Sequence, residues 1–340
     1  MKIAIYGAGS MGTVLGAYIT QGGLDVDLIT RNAAHVEGLK TKGAHIVGTV
    51  HMTVPVKALL PEEMTERYDL IFLMTKQMDN AAVVKRLKDH LTDDGVICTF
   101  QNGLPELSVA DILGEDRTFG CATSWGATLI GGGVSELTSA PESLTFGLGA
   151  MNPGRTDKLA DTKQVLELMG HVEIEDNFIG ARWSKLLINC SFSGMSAVLG
   201  TTYGGVAKNR RSRLCAQRII KECFDVARGA GITPAPIQGK NIAALLDYQS
   251  TLKRLVVFAL LPFAIRKHRR LKASMLQDLE KGKPCEIDAI NGVVCTYGDR
   301  YDVPTPVNDR VVSVIHDIEA GRYRPSFDNL ALFDDLLARK

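Results

Sequence analysis

Three glycines near the start of the chain carry the most direct chemical meaning. Gly7, Gly9 and Gly12 stand in GAGSMG directly after the apolar run 2–6, at the GxGxxG spacing of dinucleotide-binding turns. In such a turn the first glycine permits the tight bend, the second lets a pyrophosphate approach the backbone, and the third lets the next helix lie close to the sheet. Ala8, Ser10 and Met11 fill the rest of the loop, and the amides at the helix start would face the anion. The following strand ends in Thr30-Arg31-Asn32. NAD sites usually place a carboxylate there for the ribose 2′-hydroxyl, whereas Arg31 can hold a 2′-phosphate in a bidentate fork, so NADP is the expected cofactor. Asp27, between Val26 and Leu28, reads as an ordinary polar strand position.

A second set of polar residues lies among apolar neighbours in the later half. Lys185, Asn189 and Ser193 fall at i, i+4 and i+8 and so share one face of an expected helix with Trp183, Leu186, Leu187 and Cys190 around them. By spacing alone, a lysine there equally fits an ammonium that snorkels to water. The block SMLQDLEKGKPCEIDAING brings Ser274, Glu286, Asp288 and Asn291. Read alone, it is two helices with acids that complement a helix start.

These residues need a scaffold, and the hydrophobic pattern supplies one. A strand at 26–30 follows the first helix, and 44–56 alternates like strands or a hairpin near Gly48. The runs 68–75 and 96–100 are continuously apolar, as in parallel strands buried on both faces. They end at Lys76 and at Gln101-Asn102-Gly103. Ligands of open α/β sheets bind beyond the carboxyl ends of strands, so Lys76 and Asn102 are expected at that mouth. A helix is expected at 81–91, late edge strands of the same sheet within 118–149, a helix at 158–169 and a last strand at 171–174. From there the pattern is helical, with segments at 179–198, 210–230, 236–245, 252–265, 274–279, 287–297 and 307–320. The expected fold class is α/β, with an N-terminal Rossmann dinucleotide-binding domain over 1–175 followed by an all-α C-terminal domain over 176–335.

Composition narrows the class. The 340 residues carry a net charge of +1, with 45% hydrophobic and 23% charged residues, as in ordinary globular proteins. No overall field favours nucleic acid or membrane partners. The seven cysteines include no CxxC pair, so neither a disulfide framework nor a metal site is expected, and a cytoplasmic setting fits best. The N-terminus lacks the pattern of a signal peptide. The apolar run 255–265 is about half the length needed to span a bilayer, contains Pro262, and is expected to be a helix buried in the core or at a subunit interface. The basic runs KNRRSR at 208–213 and RKHRR at 266–270 read as solvated faces.

Taken together, GAGSMG, Thr75-Lys76, Gln101-Asn102-Gly103, WSKLLIN around Lys185 and the block beginning at Ser274 resemble the ketopantoate reductase (2-dehydropantoate 2-reductase) family. The resemblance spans residues 1 to about 320. It implies a Rossmann domain, a helical domain and an oxidoreductase that reduces a 2-oxo acid with NADPH, in the pantothenate and coenzyme A pathway. It further implies that Lys185 is the general acid, that Asn189 and Ser274 bind substrate, and that Glu286 lies beside the lysine and the cofactor ribose. Lys76, Asn102 and Arg31 would bind the cofactor, with Asn102 also near the substrate. Two family positions that often carry substrate-binding asparagine are Ser193 and Tyr203 here. That difference keeps a relative acting on another 2-oxo acid open, and more distantly a non-catalytic NADPH-binding sensor. The expected partner is a small 2-oxo acid, and the expected state is monomer or homodimer.

Overall fold

The computed structural model describes residues 1–236, 241 and 245–338. The chain forms two compact units. The first comprises Met1–Gln101 and Pro105–Phe178, and the second comprises Asn102–Leu104 and the chain from Ile179 onward.

The first unit runs Ile3–Tyr6 (β1), Ser10–Gln21 (α1), Val26–Ile29 (β2), Ala33–Lys42 (α2), Ala44–Gly48 (β3), Met52–Val54 (β4), Lys57–Leu59 (β5), Tyr68–Leu73 (β6), Asn80–Asp89 (α3) and Leu91–Thr99 (β7). It continues with Pro105–Leu113 (α4), Thr118–Thr123 (β8), Ala127–Gly131 (β9), Val134–Leu137 (β10), Thr145–Ala150 (β11), Thr156–Glu167 (α5) and His171–Ile174 (β12). Eight strands form one sheet in the order β12-β11-β8-β7-β6-β1-β2-β5. Its pairs are parallel except β8 with β11. Alternate residues of the central strands enter different cores. Ile3, Ile5, Leu28 and Phe72 pack with α1, while Ala4, Tyr6, Ile29 and Leu73 pack with Val84 and Leu87 of α3. Burial on both faces explains why these strands read as largely apolar runs, with Asp27 and Asp69 as the polar exceptions.

Two expectations change here. The tract 118–149 is not all a late edge of the main sheet, because β9 and β10 join β3 and β4 in a separate sheet of order β4-β3-β10-β9. The three glycines Gly131–Gly133, all at positive φ, turn β9 into β10 and let that hairpin peel away from β8. Asp27 is buried rather than an ordinary strand position. It accepts from the Tyr68 hydroxyl (2.6 Å) and pairs with Lys57 (2.8 Å). Its register partner on β1 is the small Ala4, which leaves room for that contact.

The second unit is helical. It contains Phe178–Ile188 (α6, from Ile179), a π turn at Asn189–Gly194, Met195–Leu199 (α7), Tyr203–Lys208 (α8), Arg210–Gly229 (α9), Thr251–Ala264 (α10), Ser274–Glu280 (α11), Ile287–Arg300 (α12), Pro306–Glu319 (α13) and Asp334–Ala338 (α14). Most of the expected helix at 236–245 lies outside the described residues. The expected single helix 179–198 is interrupted by the π turn, and the helix expected to be buried at 252–265 has only a narrow buried stripe, Val257, Leu261 and Ile265.

Candidate functional site

The first unit presents a dinucleotide half-site at the carboxyl ends of its parallel strands. β1 lies between β2 and β6, which is the point where strand order reverses and where open α/β sheets hold ligands. Gly7 leaves β1 at φ +110°, and a Cβ built there would fall 2.5 Å from the Met74 carbonyl carbon at the end of β6. A Cβ on Gly12 would fall 2.6 Å from the Gly7 oxygen. Both glycines are required by the protein's own backbone. Gly9 differs, because a Cβ there would meet only the Gly7 oxygen, at 4.0 Å. No neighbouring atom of the chain crowds a side chain at position 9, so the open space fits a ligand that approaches the backbone. Gly9 is also the N-cap of α1 and no side chain caps that end, which leaves the amides from Ser10 to Gly12 suited to a pyrophosphate.

The loop is braced by a residue that the motif reading passed over. His35 of α2 is fully buried; its Nδ1 accepts from the Gly133 amide (3.1 Å), so its Nε2–H donates to Thr13 Oγ1 (2.9 Å). Thr13 follows the glycine loop directly, and burial lowers the basicity of the imidazole. Arg31 lies exposed after β2, and among the described residues no carboxylate is paired with it. Asn32 next to it caps α2 through the His35 amide (3.2 Å). Lys76 follows β6 at the same edge as Gly7. Beyond β7, Gln101 is fixed by Thr99 (2.9 Å) and Asn80 (2.8 Å), whereas Asn102 groups with the helical unit.

In the second unit Lys185 and Asn189 are half-buried and Ser193 is buried, in a run that passes from α6 through the π turn. Such turns recur at functional sites because the extra residue re-aims side chains. This one is held by one side chain of its own and one far along the chain. Ser191 donates to Leu187 O (2.8 Å), and Asn291 Nδ2 donates to Cys190 O (3.2 Å). Gly194 leaves space for that asparagine, since a Cβ would sit 2.7 Å from Asn291 Oδ1. Asn291 also donates to Asn308 (2.9 Å), and Asn308 Nδ2 donates to Glu222 (2.7 Å). Glu222 accepts the Val307 and Asn308 amides at the start of α13, both at 2.9 Å. Burial outweighs these donors and pushes its carboxyl up to about 7. A lone acid among Ile219, Ile220, Cys223 and Phe224 was the available sequence signal for this residue.

Helices α11 and α12 pack against the π turn and carry Ser274, exposed in the first turn, and Glu286, half-buried at the N-cap. Asp288 points elsewhere, pairing with His316 (3.0 Å). Ser193 and Tyr203, the two departures from the family pattern, are both buried and share a hydrogen bond between their hydroxyls.

Residues 3–150 match the family model described as ketopantoate reductase PanE/ApbA, and residues 177–319 match that family's C-terminal model. The chain belongs to this family. It is accordingly an oxidoreductase acting on CH–OH groups, with a Rossmann-like domain for a nicotinamide dinucleotide. A curated relative, 2-dehydropantoate 2-reductase of Pyrococcus horikoshii, is 28% identical over 309 residues, covering 91% of this chain and 94% of the relative. The corresponding enzyme of Archaeoglobus fulgidus is 27% identical, with 94% and 98% covered. Among solved structures, a D-mandelate dehydrogenase with NADH and anilino(oxo)acetate superposes with a TM-score of 0.79 at 24% identity, covering 94% of this chain and 99% of that one. A PanE/ApbA family ketopantoate reductase of Ralstonia eutropha gives the same TM-score at 23% identity, with 95% and 99% covered. At these identities the two structures establish the fold of this family member.

Proposed function

We propose that the chain reduces 2-dehydropantoate to pantoate with NADPH, in the cytoplasmic route to pantothenate and coenzyme A. The observation that carries this reading is the run Lys185, Asn189, Ser193 through a braced π turn, with the helices bearing Ser274 and Glu286 packed on that turn. When bound, the reduced dinucleotide supplies a hydride to the carbonyl carbon of the 2-oxo acid. The Lys185 ammonium stabilises the charge left on the oxygen and donates a proton to it. Asn102, Asn189, Ser193 and Ser274 orient the substrate through neutral hydrogen bonds. Glu286 supports the charged form of the lysine and contacts the cofactor ribose. Gly7 to Gly12 and Lys76 hold the dinucleotide, and Arg31 takes the 2′-phosphate, which favours NADPH over the NADH named for the D-mandelate dehydrogenase.

The hydrogen-bonded Ser193–Tyr203 pair favours a second reading. The two hydroxyls bond one another where the family pattern often has substrate-binding asparagines, which suits a 2-oxo acid with a less polar side chain. The test is NADPH oxidation with ketopantoate beside a panel of 2-oxo acids, repeated with NADH. Turnover selective for ketopantoate supports the first reading, and faster turnover of another acid moves the substrate and keeps the chemistry. No turnover of any 2-oxo acid overturns both.

A further inference from the structure

Helix α10 buries Val257, Leu261 and Ile265 against its own unit and turns a second apolar stripe outward. Leu252 is 74% exposed, Leu255 59%, Val256 46% and Phe263 71%, with exposed Ala259 between them. The spacing i, i+3, i+4, i+7, i+11 places all five on one side of the helix. A surface helix ordinarily shows polar residues there. The stripe runs directly into Arg266, Lys267, Arg269 and Arg270, which line a recess of about 620 Å³. Among the described residues no carboxylate pairs with these four cations. Their backbone is fixed, because the Gly204 amide donates to Arg269 O (2.9 Å) and the Tyr203 amide donates to Leu271 O (3.0 Å).

We propose that α10 and the 266–270 segment form a docking face for the anionic leaflet of a lipid bilayer. The apolar stripe enters the headgroup boundary while the cations meet lipid phosphates and carboxylates. Among the described residues no helix is long and apolar enough to cross a membrane, so the contact is peripheral. The charge pattern selects this occupant over a second copy of the chain. Pairing two α10 helices side by side sets basic clusters together, and pairing them head to tail sets Arg266 to Arg270 against Lys253 and Arg254 of the other copy. Either arrangement brings like charges together in an apolar contact, whereas an anionic leaflet complements stripe and cations at once.

The experiment is flotation of the full chain with phosphatidylcholine vesicles and with vesicles containing about one-third phosphatidylserine. Binding to the anionic vesicles only, weakening with salt, is the expected result. Replacing the four cations with alanine should lower partitioning on the order of 10²–10³-fold, and Leu255→Ser with Phe263→Ser about tenfold or more. These side chains are exposed, so the variants should keep the wild-type circular dichroism and melting curve. Absence of binding, equal binding to both vesicles, or full binding by the serine variant overturns the proposal. So does sedimentation showing a dimer that the serine variant dissolves, since the stripe would then be covered by a second copy.

Discussion

The glycine loop after β1 and the π turn after α6 both take the backbone off its ordinary path, by different means. In the loop the demand is local: Gly7 and Gly12 have no room for a side chain against backbone atoms a few residues or one strand away. In the π turn the crowding at Gly194 comes from Asn291 rather than from nearby backbone, and the distortion is sustained by Ser191 and by that same Asn291, which is about a hundred positions from the carbonyl it holds. A steric demand leaves a mark in the sequence where it acts. A hydrogen-bonding demand leaves its mark wherever the partner happens to be.

The largest expected effect tests whether the braced turn serves chemistry. Lys185→Ala should lower kcat roughly 10²–10⁴-fold, the usual contribution of a general acid, with melting little changed. A near-normal kcat would remove Lys185 from the mechanism. The glycine loop offers an internal contrast of intermediate size. Gly12→Ala forces a Cβ into the Gly7 carbonyl and should destabilise the chain by about 1–3 kcal/mol. Gly9→Ala meets only the Gly7 oxygen, at 4.0 Å, so it should cost less stability than Gly12→Ala while weakening dinucleotide binding about tenfold or more. Equal losses of stability in the two variants, measured by denaturant titration, would erase the distinction between a glycine the fold needs and one the ligand needs. Arg31→Ala should raise the KM for NADPH roughly 10–100-fold, the worth of a charged hydrogen bond, and leave that for NADH nearly unchanged. Parallel losses for both cofactors would remove the 2′-phosphate role.

Much of the cofactor half was legible because the sheet is buried on both faces and the loop sterics are local. Strands at 3–6, 26–29 and 68–73 announce themselves as largely apolar runs, and the glycines follow the first at fixed spacing. The hairpin β9–β10 was misplaced because short strands carry no record of which sheet they join. Helix α10 was misjudged for a related reason: an apolar run looks the same whether it is covered or bare, and the three residues it buries are spaced like the ones it exposes. Lys185, Asn189 and Ser193 were visible as polar residues in an apolar helix, yet only the family resemblance gave them roles. Asn291 stood out in the sequence without its partners Asn308 and Glu222, since neither distance nor direction of a long-range hydrogen bond is written in a single chain.

The smallest effects expected are pH-dependent, and they have opposite signs in the two units. His35 is buried and neutral, with its imidazole less basic than when unfolded, so its contribution is complete above about pH 6.5 and is lost as pH falls through the lowered folded value. Protonating Nδ1 would set a donor against the Gly133 amide and loosen the brace on the glycine loop. Glu222 behaves conversely: with its carboxyl pushed up to about 7, its contribution is complete below about 4.5 and is lost as pH rises through the folded value. Between about pH 5 and about pH 7 the His35 contribution to melting should therefore rise and the Glu222 contribution fall, each by a few degrees. His35→Gln should remove the rise alone, and Glu222→Gln the fall alone. If both substitutions changed the pH dependence in the same direction, the two units would share one titrating element, and the contrast between a locally braced loop and a remotely braced turn would not hold.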